Sequence, residues 1–175
     1  MNFLLLPFLI LAAIGFVLSA AAHGYAVLGL LPPGAEHVMG LHLGIFVVWL
    51  PTVLAANRAV RGVNQKDFWK VVLAGAPGWM RYALYGLFAY ALFNFVLFAA
   101  TSDGKHHGYS AVTPQVIRGF SGHWMIFYGA AFVTLYSLLR APQLLQQRRC
   151  SNGHAVSPTD AYCPSCGRAL EGPGS

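Results

Sequence analysis

The residues of this chain best suited to chemistry are three cysteines and one histidine close to its C-terminus. Cys150 and His154 form a C-x3-H pair, and after eight further residues Cys163 and Cys166 form a C-x2-C pair. Two short knuckles with this spacing can bring three thiolates and one imidazole to the corners of a tetrahedron, which is the geometry that Zn(II) prefers. The spacing therefore predicts a Zn(II) site formed by these four residues.

The segment from residue 150 to residue 170 resembles the short zinc ribbons found at the ends of many bacterial proteins, in the variant whose first knuckle ends in histidine. The resemblance depends on Cys150, Asn152-Gly153-His154, Tyr162-Cys163 and Cys166-Gly167. It implies a structural or interaction module, because four filled ligand positions leave no open position for catalysis. The alternative is a disordered tail with chance cysteines. A segment this short cannot bury a core, so without a metal it should be unfolded.

A second set of candidate ligands consists of histidines near one end of the predicted helices. His23, His42 and His123 lie at similar depths, and His37, His106 and His107 lie beyond them. Two facing imidazoles could bind the iron of haem b axially, and a single one could hold the magnesium of chlorophyll. We favour structural or interfacial histidines over a cofactor site, because histidines at a membrane surface commonly bind water or headgroups.

The composition predicts an all-α membrane protein. Of the 175 residues 57% are apolar and only 9% are charged, against roughly 25% charged residues in a soluble domain. A helix needs about 20 apolar residues to cross a bilayer core that is about 30 Å thick, and four segments reach that length, at about 3–22, 37–56, 79–100 and 120–140. Because backbone groups in lipid must pair within their own segment, these segments predict a four-transmembrane-helix bundle.

The predicted domain boundaries follow from these segments. The transmembrane domain covers residues 1–141, a basic linker covers 142–149, the zinc ribbon covers 150–170, and a short tail covers 171–175. The first segment has an alternative interpretation as a signal peptide, because Ser19-Ala20-Ala21-Ala22 offers a small-residue cleavage site. We expect the segment to be retained, since only Met1-Asn2 precedes it and that stretch carries no basic side chain.

Two local patterns refine this bundle. Between the second and third spans, Asp67 is expected to cap a short helix over residues 68–73, which Pro77-Gly78 then ends. In the fourth span, three small residues predict close approach of another helix, as small residues do in lipid. These residues are Gly129, Ala130 and Ala131.

The basic residues predict the orientation of the chain. The region between the second and third spans and the C-terminal tail together carry nine Lys or Arg residues, whereas Lys105 and Arg118 are the bases expected on the other side. By the positive-inside rule, we expect both termini and the middle loop to be cytoplasmic. We expect the membrane to be the cytoplasmic membrane of a bacterium. Because the bases flank apolar segments, we expect membrane lipids as partners and no nucleic acid. The nine are Arg58, Arg61, Lys66, Lys70, Arg81, Arg140, Arg148, Arg149 and Arg168.

The sequence contains no recognisable catalytic motif. It has no G-x-S-x-G, no H-E-x-x-H and no nucleotide-binding loop. We therefore expect a non-enzymatic accessory or assembly subunit of a bacterial membrane complex, with the ribbon as its cytoplasmic interaction module. The alternatives are a small redox or pigment-binding membrane protein that uses the outer histidines, and a membrane sensor that signals through the ribbon.

Overall fold

The computed structural model of the protein describes residues 4–61, 63–101, 112–146, 149–154, 156 and 160–170. Over these residues the chain is all-helical, with five α-helices and no β-strand. Four of the helices are long and apolar enough to cross a membrane, which confirms that part of the predicted fold. The helices are α1 (Leu6–Val27), α2 (Gly40–Ala59), α3 (Phe68–Val72), α4 (Gly78–Thr101) and α5 (Pro114–Arg140).

Helix α5 lies at the centre of the bundle. In the most apolar 18-residue stretch of α5, 67% of the residues are buried, against 28% in α1, 28% in α2 and 17% in α4. The other three long helices all pack on α5, and α1 also packs on α2. Trp124, Ile117 and Leu135 on α5 are completely buried. The outer faces of α1, α2 and α4 are therefore the exposed apolar surfaces of the bundle.

The N-terminal end of α5 lies six residues before the predicted start of the fourth span. The Thr113 side chain accepts a hydrogen bond from the Val116 backbone N–H at 3.3 Å, and Pro114 occupies the first turn. Both features favour a helix start, because the cap satisfies an orphan N–H and proline needs no donor there. Arg118, which was expected in a loop, consequently lies in the second turn of α5.

Helix α1 runs without a break through the segment that offers a signal-peptide cleavage site. Ser19 donates its hydroxyl to the Gly15 carbonyl at 2.7 Å, so this polar group is satisfied inside the helix. Gly15 gives room to the ring of Tyr128 on α5, which occupies the space that a Cβ at this position would need. Retention of α1 stays a prediction, and this contact favours it because cleavage would remove a packed helix.

The short helix α3 forms where the middle loop was expected to contain one, but its start differs from the prediction. Asp67 does not cap α3 with its side chain; its carboxylate instead binds the Lys70 ammonium at 2.8 Å. This ion pair raises the pKa of Lys70, through the hydrogen bond first and the charge second. The side-chain cap is made one turn earlier, where Asn64 accepts from the Lys66 N–H at 3.1 Å.

The small residues of α5 pack in two different ways. A Cβ on Gly129 would lie 3.2 Å from Leu87 Cδ2 and 3.4 Å from Phe16 Cε2, so this glycine makes room for side chains of α4 and α1. Close approach of two backbones occurs instead about two turns away, at Gly122, where a Cβ would lie 3.2 Å from the Ala91 Cα. The predicted tight contact therefore exists in α5, at a glycine other than the one expected.

Candidate metal centre and the histidine layer

Two short turns position the four predicted metal ligands. In the first, the Gly153 N–H donates to the Cys150 carbonyl at 2.8 Å and the Cys150 N–H donates to the His154 carbonyl at 3.0 Å. In the second, the Gly167 N–H donates to the Cys163 carbonyl at 2.8 Å. Gly153 and Gly167 have φ angles of 81° and 67°, which glycine adopts without steric cost. The sequence thus folds into two turns whose ligands point to one place.

The four ligand atoms lie within 4.8 Å of one another. The Cys150 Sγ is 3.5 Å from His154 Nδ1 and 3.9 Å from Cys166 Sγ, and the Cys163 Sγ is 3.8 Å from the same imidazole nitrogen. A tetrahedron with metal–sulfur bonds of about 2.3 Å and metal–nitrogen bonds of about 2.0 Å has edges of roughly 3.5–3.8 Å. The cluster therefore has the size of a tetrahedral metal site, and its sulfurs are far beyond disulfide bonding distance.

The surroundings favour the thiolate form at two of the three cysteines. Burial raises the pKa of Cys163, but backbone hydrogen bonds from Ser165 and Cys166, together with hydrogen bonds from the other two thiols, lower it overall. Burial likewise raises the pKa of Cys150, and hydrogen bonds from the Asn152 and His154 backbone and from the Cys166 thiol lower it overall. At Cys166 the Arg168 backbone hydrogen bond lowers the pKa, but the contacts with the other two thiols and burial raise it overall. Backbone N–H groups that point at sulfur stabilise thiolates, and the thiolate is the metal-binding form.

Contacts of charged and apolar side chains stabilise the first turn and join it to the second. Arg149 Nη1 donates to the Gly153 carbonyl at 2.9 Å, and the Arg168 guanidinium donates to Ser151 Oγ across the cluster. Val156 and Leu170 pack with Cys150 and Cys163 in a very small core. Such a core is too small to stabilise the fold by itself, so a metal would supply the missing free energy. The arrangement is suited to a structural metal with four protein ligands and no open position.

His23 is the buried member of the outer histidines, and both of its ring nitrogens are engaged. Its Nδ1 is 2.7 Å from Ser121 Oγ on α5, and its Nε2 is 2.7 Å from the Tyr90 hydroxyl on α4. Ser121 also lies 3.4 Å from the Arg118 carbonyl, to which its hydroxyl donates. One histidine therefore joins three helices, and neither ring nitrogen is left for a metal while both hydrogen bonds are present.

His42 on α2 and His123 on α5 lie side by side. Their rings are stacked, with centroids 5.6 Å apart and planes inclined by 17°. The indole N–H of the completely buried Trp124 donates to His42 Nδ1 at 3.2 Å. Since an indole can only donate, His42 Nδ1 is the acceptor and the neutral ring carries its proton on Nε2. Stacked rings with this tautomer do not present two lone pairs to a common iron.

One of the remaining outer histidines lies at the surface, and the other two lie outside the residues that the structure describes. His37 is exposed and lies 3.8 Å from the Glu36 carboxylate, whereas His106 and His107 lie outside the described residues. The sequence did not indicate the partners Tyr90, Ser121 and Trp124, because they come from helices 67 to 98 residues away. A cofactor role for His23, His42 or His123 stays a prediction.

No family model, no curated protein and no solved structure matches this chain.

Proposed function

We propose that this protein is a non-enzymatic accessory or assembly subunit of a membrane complex in the bacterial cytoplasmic membrane. Its long helices would pack beside partner helices, and a zinc ribbon formed by residues 150–170 would bind a cytoplasmic partner. The observation that carries the proposal is the four-ligand cluster, whose donor atoms lie within 4.8 Å of one another. Three sulfurs and one imidazole nitrogen suit zinc better than magnesium or calcium, which prefer oxygen ligands.

The charge pattern supports a cytoplasmic ribbon. The Gly75 N–H donates to Ser137 Oγ at 2.9 Å, so the middle loop and the C-terminal end of α5 lie at the same end of the bundle. Arg58, Arg61 and Arg140 are exposed around this end. A basic end is retained in the cytoplasm by the positive-inside rule, and a reducing cytoplasm keeps thiols free for zinc.

The ribbon also has a surface that suits a protein partner. Tyr162 is 65% exposed although it is aromatic, and it forms an isolated antiparallel bridge with Ala169. Aromatic side chains on a rigid support are common anchors of protein interfaces. The exposed apolar faces of α1, α2 and α4 supply a second, membrane-embedded surface for partner helices.

Purification in mild detergent tests the proposal. The full chain and two variants, Cys163→Ser and Ser165→Ala, are isolated from the native membrane at matched expression, and copurifying proteins are quantified by mass spectrometry. A stoichiometric partner should accompany the wild type and Ser165→Ala, and should be lost from Cys163→Ser together with zinc. Full recovery of the partner with metal-free Cys163→Ser protein would contradict an interaction through the ribbon.

Pigment binding is the second candidate, and the exposed position of His123 on α5 favours it. The exposed His123 ring lies 4.6 Å from Phe127, measured between ring centroids, and could donate one nitrogen to the magnesium of a chlorophyll lying on the lipid face. A visible absorption spectrum of the protein from native membranes separates the candidates. A band that disappears in His123→Ala would favour the pigment, and a colourless protein would refute it.

A further inference from the structure

An apolar groove runs along one side of the bundle between α1 and α4, with α5 as its floor. Its volume is about 460 Å³, and every side chain that lines it is apolar. Val17 on α1 and Ala83 on α4 form opposite walls, and Gly129 lies on the floor. We call this cavity the α1–α4 groove. In a membrane it must be filled, because an empty apolar cavity loses dispersion contacts along its whole lining.

Gly129, on the floor of the groove, has no side chain to fill the space. The hydrogen bond between His23 on α1 and Tyr90 on α4 links the two helices that form the walls. The lining on α4 extends from Trp79 to Leu87, which corresponds to about 12 Å of helix. One leaflet of the hydrocarbon core is about 15 Å thick, so the groove spans one leaflet.

The open end of the groove has the chemistry of an anion site. Trp79 lies there and is 67% exposed, as suits a residue in the headgroup layer. Arg81 follows the lining residues Trp79 and Met80 directly. Its Nη2 donates to the Ala76 carbonyl at 3.2 Å, and its Nε is buried without a hydrogen-bond partner in the part of the chain that the structure describes. A phosphate outside the bundle would therefore bind the remaining Nη donors. A guanidinium with unused donors is suited to bind a phosphate.

We propose that the α1–α4 groove binds one acyl chain of an anionic phospholipid, with the phosphate of that lipid at Arg81. The lipid belongs to the leaflet on the basic side of the protein, where the groove opens. The size of the groove favours a lipid chain over a protein helix. A helix about 10 Å wide and three turns long occupies roughly 1,200 Å³, which is more than twice the volume of the groove.

Native mass spectrometry of the full-length protein tests this proposal. The protein is released from nanodiscs that contain equal amounts of phosphatidylglycerol and phosphatidylcholine, and retained lipids are counted per chain. We expect one retained phosphatidylglycerol, preferred over phosphatidylcholine by about tenfold or more, as expected for charge-assisted hydrogen bonds to one phosphate. Ala83→Phe should abolish retention by filling the groove, whereas Ala89→Phe, at an exposed position of α4 outside the lining, should not.

A second pair of variants tests the headgroup contact. Arg81→Gln should remove the preference for phosphatidylglycerol by about tenfold and leave the acyl chain bound, whereas Arg61→Gln in the middle loop should keep the preference. If Ala83→Phe protein does not fold, Val17→Phe fills the groove from the other wall. Equal retention of both lipids by the wild type would overturn the proposal. So would equal losses in Ala83→Phe and Ala89→Phe, or a dimer that only the groove-filling variant dissociates.

Discussion

The contact between the middle loop and α5 provides a sharp test of the packing. At Gly75 a side chain has no space, because a Cβ built there would overlap the backbone carbonyl oxygen of Ser137 and would lie 3.0 Å from the Ala141 Cβ. A backbone oxygen inside a helix cannot move aside as a flexible side chain can. Gly75→Ala is therefore expected to push the loop away from α5 and to break the hydrogen bond from the Gly75 N–H to Ser137 Oγ.

The size of the effect follows from these two losses. Overpacking by one methyl group in a well-packed site costs about 1–3 kcal/mol, and a lost hydrogen bond adds about 0.5–1.5 kcal/mol. We expect Gly75→Ala to lower the free energy of unfolding by about 2–4 kcal/mol. Ser137→Ala removes the acceptor but leaves the space unchanged, so it should lower the free energy of unfolding by only about 1 kcal/mol.

Equilibrium unfolding in mixed detergent micelles, with an increasing fraction of sodium dodecyl sulfate, measures both changes. Gly86→Ala is the matched control, because a Cβ on this α4 glycine meets nothing within 4 Å. Alanine has the higher helix propensity, so the control should gain up to about 1 kcal/mol. A Gly75→Ala protein within about 0.5 kcal/mol of the wild type, the scatter of ordinary surface substitutions, would refute the close contact.

Three further predictions concern the topology, the metal and one buried hydroxyl. In whole cells an impermeant thiol reagent should label Leu31→Cys and not Arg61→Cys. The reverse labelling pattern would show that the chain has the opposite orientation in the membrane. Elemental analysis should find one zinc per chain in wild-type and Ser165→Ala protein, whereas Cys163→Ser should lose the zinc and gain protease sensitivity in its tail; zinc-free wild type prepared without chelator would contradict the site. Tyr128→Phe should lower the free energy of unfolding by about 0.5–1.5 kcal/mol, because the Tyr128 hydroxyl donates to an α2 carbonyl at 2.8 Å; an unchanged free energy in the same micelle assay would show that this bond contributes nothing.

Local patterns in the sequence predicted the parts of the molecule that depend on neighbouring residues. Helix length and apolarity are properties of one continuous segment, so the four long helices could be recognised. The spacing of Cys150, His154, Cys163 and Cys166 is likewise confined to 17 residues, and two turns bring these side chains together. The start of α5 was predicted too late because hydropathy ignores capping, although the pair Thr113-Pro114 carries that signal.

The arrangement of the helices could not be predicted, because lipid provides little contrast between an outer face and an inner face. A lipid-facing side chain is as apolar as a core side chain, so hydropathy does not show which helix is central. The hint lay in α5, which combines buried polar and small residues such as Ser121, Gly122 and Thr134. The partners of His23 and His42 were equally hidden, since they lie on helices distant in sequence.

The central position of α5 has a consequence for biogenesis. Chains are made from the N-terminus and fold domain by domain as they emerge, yet the helix on which α1, α2 and α4 pack is the last of the four long helices to be synthesised. Until α5 enters the bilayer, α1, α2 and α4 all lack their main partner. A ribosome stalled before residue 114 would thus leave three inserted helices exposed to membrane proteases. Insertion of α5 is the step that converts separate spans into one bundle.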